Sequence, residues 1–86
     1  MDAQTRLKAM RFILNGMQHS TFAPTYELTT RLFSLLGSRE LAQEALEEAE
    51  RIGLIVPEGL ISNPKPMEKT WCLSKTFDRG QLDIPA

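Results

Sequence analysis

Residues 23–55 read APTYELTTRLFSLLGSRELAQEALEEAERIGLI, two helical patterns joined at a glycine and followed by a short apolar run. Pro24 biases Ala23 away from helical angles, and Thr25 is placed to accept a hydrogen bond from the free amides of the next turn. A helix therefore starts here, and its apolar positions Leu28, Leu32, Phe33, Leu35 and Leu36 carry it to Gly37. Glycine tolerates the positive φ that a tight turn between two helices needs. Ser38 is a good N-cap for the next helix, and Glu40 enters the first turn, where the helix dipole favours acid. Leu41, Ala45, Ala49 and Ile52 then form one apolar row, flanked by Ala42 and Leu46, before Gly53 ends the helix.

Upstream, Ala3, Leu7, Met10, Leu14 and Met17 recur at spacings of three and four, with Phe12 and Ile13 beside them, so residues 2–18 read as an amphipathic helix. Gly16, His19, Ser20 and Thr21 mark its stop and a loop. Downstream, Leu54, Ile55 and Val56 must be buried or paired in a sheet, and Pro57, Glu58 and Gly59 turn the chain. Leu60–Ser62 and Thr70–Ser74 read as two short strands around the Pro-rich loop SNPKPMEK. Trp71 or Leu73 covers the open side of the helical core, and Cys72, a single cysteine, has a packing role. The expected domain is residues 1–76, with an extended or disordered tail over 77–86 unless Phe77, Leu82 and Ile84 dock on a partner.

A chain of 86 residues is one domain at most, and its 42% hydrophobic and 24% charged content belongs to a chain that folds. No apolar run approaches the roughly 20 residues that span a bilayer, and MDAQTRLKAM lacks a signal-peptide core, so a cytoplasmic protein is expected. The net charge of −1 gives no general pull toward polyanions, but it conceals a pattern. Residues 38–58 hold two Lys/Arg against six Asp/Glu, whereas residues 1–37 hold four against two. The acid is concentrated in the third helix.

The helix from APTYEL, the turn at LLG, the helix from SRELAQEAL through EEAERIGLI and the closing WCLS strand resemble the winged helix-turn-helix superfamily. Their spacing is similar to the DNA-binding domain of the SOS-response repressor and to small phage and plasmid regulators. The resemblance covers residues 2–75 and implies a mainly α fold, three helices plus a two-stranded antiparallel β-hairpin wing. It also implies that the third helix enters the major groove of double-stranded DNA while the wing meets the backbone or minor groove. Carried onto this sequence, the groove-facing residues are Ser38, Arg39 and Gln43, with Glu40 and Glu44 nearby. Arg39 offers the donors that guanine accepts, and Gln43 the donor–acceptor pair of adenine. Asn63, Lys65 and Lys69 are the wing's phosphate contacts, and Thr25 and Tyr26 supply phosphate contacts from a helix start. One short helix buries little surface, so a homodimer is expected.

The acid on the third helix leaves a second reading open. Glu40, Glu44, Glu47 and Glu48 can instead present an acidic surface to a basic protein partner, making the chain an adaptor or inhibitor module. Glu47 and Arg51, four residues apart, read as an ion pair on a solvated face. For catalysis the sequence offers no nucleophile turn, no Gly-rich phosphate loop and no paired metal-ligand motif, so no enzyme activity, metal or cofactor is expected. His19 has no second ligand at metal spacing.

Overall fold

The computed structural model of the protein describes residues 1–18, 23–61 and 68–82. Within them the chain is mainly α. Helix α1 (Ala3–Met17) is followed by the short strand β1 (Ala23–Pro24), then α2 (Thr25–Leu36), α3 (Arg39–Arg51), β2 (Ile55–Ile61), β3 (Glu68–Leu73) and a 3-10 turn at Arg79–Leu82.

Local chemistry sets the helix ends. The Asp2 carboxylate accepts from the Thr5 amide at 2.7 Å and starts α1, which holds its carboxyl below the usual range. Gly16 lies inside α1, one residue short of its end. Gly37 takes φ 75° at the C-cap of α2, and Ser38 accepts from the Leu41 amide at 3.3 Å to start α3. Gly53, at φ 81°, turns the chain out of α3. Gly37, Ser38 and Gly53 do what the sequence expects of them.

The sheet departs from expectation in strand number. It has three antiparallel strands in the order β1-β3-β2, where a two-stranded hairpin is expected. Ala23 pairs with Trp71 and Pro24 with Thr70, a two-residue pairing too short to leave any alternation in the sequence. The second departure is at Pro57, Glu58 and Gly59, which do not turn the chain. Pro57 opposes Trp71 and Gly59 opposes Thr70, so Glu58 is the extra residue of a β-bulge and β2 runs straight through. Pro24 and Pro57 both fall on edge strands, where a missing amide donor breaks no central ladder.

The core is built on α1. Met10, Ile13, Leu14 and Met17 meet Leu28 and Leu32 of α2, and Ala42, Ala45, Leu46 and Ala49 of α3. The alanines of α3 allow close approach to its neighbours. Leu54, Ile55 and Trp71 close the sheet side, as the sequence expects of the apolar run and the tryptophan. Cys72 is half-buried; its thiol donates to the Glu58 carboxylate at 3.3 Å, and burial pushes its pKa up.

Residues 77–82 do not form an extended tail. Phe77 packs half-buried against the core, and Leu82 is fully buried. The Arg11 guanidinium fixes this return by donating to the Leu82 carbonyl at 3.0 Å through Nε and at 2.9 Å through Nη2. Among the described residues, no helix is long and apolar enough to cross a membrane.

Candidate nucleic-acid interface

Helix α3 presents two different flanks. Its core face, Ala42, Ala45, Leu46 and Ala49, is buried, and the helical repeat puts Arg39 and Gln43 on the flank toward α2. There they border an open cleft of about 420 Å³, lined also by Ala42 and by Thr29, Thr30 and Phe33 of α2. Although α3 is rich in glutamate, none of these lining residues is acidic. The Arg39 guanidinium lies over the Phe33 ring, 5.6 Å from its centroid, and Phe33 is 41% exposed. Such exposed cation–π contacts hold a side chain loosely, at about 0.5–1 kcal/mol.

The opposite flank faces α1 and collects the acid. Met1, Arg6, Glu44, Glu47, Glu48 and Arg51 line a second cleft, setting three carboxylates against two guanidinium groups and the N-terminal ammonium. Glu48 lies at its centre, 15% exposed, accepting from Arg51 through both oxygens at 2.7 Å and from Arg6 Nε. Hydrogen bonds from Arg51 and then Arg6 hold its pKa down at about 2. Glu44 pairs with the N-terminal ammonium at 3.5 Å. Arg51 therefore pairs with Glu48 rather than with Glu47, because Glu48 alone stands between Arg51 and Arg6. Glu47 instead accepts from Gln43 Nε2 at 3.3 Å.

The expected site residues divide accordingly. Arg39 and Gln43 share the acid-free cleft, while Glu40, Glu44 and Glu47 are exposed and Glu48 is enclosed within an ion network. Ser38 uses its hydroxyl in the helix cap. Thr25 is not the cap of α2: Pro24 holds that position with no side-chain cap hydrogen bond. The Thr25 hydroxyl donates to the Lys69 carbonyl and accepts from Trp71 Nε1, both at 2.8 Å. Lys69 is exposed with its ammonium over the Trp71 ring, 5.5 Å from the centroid, and Tyr26 is 61% exposed at the start of α2. Asn63 and Lys65 lie outside the described residues, as does His19.

Sequence reasoning missed the α2 half of the cleft. Phe33 reads as one more apolar core position, yet the buried pair of α2 is Leu28 and Leu32. Tyr26, Thr30 and Phe33, at spacings of four and three, share a stripe off that row, and this spacing was the available signal. Compared with known proteins, the chain matches no family model, no curated protein and no solved structure.

Proposed function

We propose that the protein is a small winged-helix regulator that binds double-stranded DNA as a homodimer, with α3 as its reading helix. The observation that carries this reading is the separation of charge across α3. Arg39 and Gln43 lie one turn apart beside a cleft with no acidic lining residue, while Glu44 and Glu48 are ion-paired on the flank toward α1. Of the exposed Glu40 and Glu47, the latter accepts from Gln43 outside the cleft lining. Pairing matters because duplex DNA carries one charge per about 1.7 Å, and unpaired carboxylates would be repelled. The order of helix, helix, helix and hairpin also supports the winged-helix reading, with β1 closing one edge of the sheet. Among the described residues, Arg39 is held by a ring contact and Gln43 by one 3.3 Å hydrogen bond, so turning them toward base edges costs little.

The test is binding to a randomised duplex pool, measured against salt. Affinity should fall steeply as salt rises. Arg39→Ala should lose about 1–3 kcal/mol of discrimination at one base pair, whereas Lys69→Ala should weaken binding equally on all sequences. Absence of any duplex binding at low salt would end this reading.

A second reading rests on the outward carboxylates Glu40, Glu44 and Glu47, which suit a basic protein partner. Reversing Glu40 and Glu47 to lysine separates the two. It strengthens duplex binding if the first reading holds, and removes a protein partner if the second does. Glu48 is unsuitable for this purpose, since its reversal would break the contact between α1 and α3.

A further inference from the structure

We infer that the cleft between α2 and α3 reads the C5 methyl group of a pyrimidine next to a guanine, with Phe33 positioning Arg39 for that guanine. The inference rests on the duplex-binding reading and deepens it. Two features of the cleft and one rule of base recognition support it together. Its lining joins the Arg39 guanidinium and the Gln43 amide to the Phe33 ring, to Ala42 at the buried floor, and to Thr29 and Thr30, each of which carries a methyl beside its hydroxyl. The Thr29 hydroxyl is engaged by the Thr25 and Tyr26 carbonyls at 3.1 Å each, which leaves its methyl as the unengaged part of the side chain. Alanine, threonine methyl and phenylalanine are the groups that make apolar contact with a pyrimidine methyl in the major groove, and arginine is the commonest partner of guanine O6 and N7.

The ring and the guanidinium act as a unit. An arginine on a solvated helix samples many rotamers and loses that freedom when it binds. Phe33 holds Arg39 loosely over its face, 5.6 Å from the centroid, which keeps the guanidinium beside the cleft while leaving it free to turn to a base edge. A guanine held by Arg39 then sets a neighbouring pyrimidine edge over the apolar part of the cleft. Phe33 is thus a positioning residue, and the methyl is the feature read. Thymine and 5-methylcytosine both carry it.

The experiment uses the full chain and the duplex it selects from a randomised pool. Each thymine beside a guanine is replaced by deoxyuridine, and in a parallel series each cytosine beside a guanine by 5-methylcytosine. At one position, removing the thymine methyl should weaken binding roughly fourfold, the effect of one buried methyl-sized group. A gain of similar size on methylating cytosine, without the thymine effect, would assign the site to methylated cytosine instead. Phe33→Ala should abolish the methyl effect and reduce the guanine preference; Phe33→Leu should keep the methyl effect while reducing the guanine preference. Both variants should melt within a few degrees of the parent, because the ring is 41% exposed. Selected duplexes that tolerate loss of every such methyl, or a Phe33→Ala variant that discriminates as the parent does, would overturn the inference while leaving duplex binding intact. If no duplex is selected, the underlying reading falls and this one with it.

Discussion

A single hydroxyl, that of Thr25, joins α2 to the sheet by serving as donor and acceptor at once. It gives its proton to the Lys69 carbonyl and takes that of the Trp71 indole, and Trp71 is only 4% exposed. The sequence marks Thr25 as special for its place after Pro24, but gives it the wrong task. Capping arguments are local, whereas the indole lies 46 residues away. Gly37 and Ser38 were legible because their work is done with neighbours one to four residues off. Thr25→Val keeps the shape, removes both hydrogen bonds and leaves the buried indole donor unsatisfied, so it should cost about 1–3 kcal/mol in urea unfolding. Thr25→Ser should restore most of the loss. An unfolding midpoint unmoved by Thr25→Val would mean that water replaces the hydroxyl without penalty.

Among the elements, α1 and α3 are held by packing and by the Arg6–Glu48–Arg51 network. The helices themselves were legible from apolar periodicity, within a residue or two of their ends. The network was not, since the favoured spacing pointed to Glu47 and Arg51 and no periodicity reveals which glutamate faces Arg6 on another helix. Its energetic sign follows from the depressed pKa of Glu48, about 2 in the folded protein against an ordinary 4.5. A carboxylate with a lowered folded pKa contributes stability that is fully present above its unfolded value and is lost as pH falls through the folded one. The contribution of Glu48 should therefore fade between about pH 4.5 and about pH 2. Glu48→Gln should be less stable than the parent at neutral pH and should lose less stability across that acid window. Parallel stability–pH curves for the two proteins would show that the network adds nothing to folding.

For the molecule as a whole, the boundary of the domain was the least legible feature. Residues 77–86 show no helical or strand periodicity and contain Gly80 and Pro85, so the local pattern assigns them to a tail. What brings residues 77–82 back is two apolar side chains and one carbonyl: Leu82 enters the core, Phe77 packs against it, and Arg11 of α1 holds the Leu82 backbone oxygen. None of these is periodic, and Arg11 and Leu82 are 71 residues apart. The α2 half of the cleft escaped for a related reason, since Phe33 is exposed beside a helix that sequence joins to it only through a turn. A domain this small buries a modest fraction of its surface, and its total stability falls within about 5–15 kcal/mol. Leu82→Ala should remove about 2–5 kcal/mol of that, as for other fully buried leucines. Even the lower figure corresponds to a fall of about 8 °C or more in Tm for a chain of this length. The variant should keep its helices in far-ultraviolet circular dichroism well below the melting range, because the helical contacts around Met10, Ile13 and Leu32 are untouched. A Leu82→Ala protein melting with the parent would return residues 77–82 to the status of a tail, and the core would then close at Trp71.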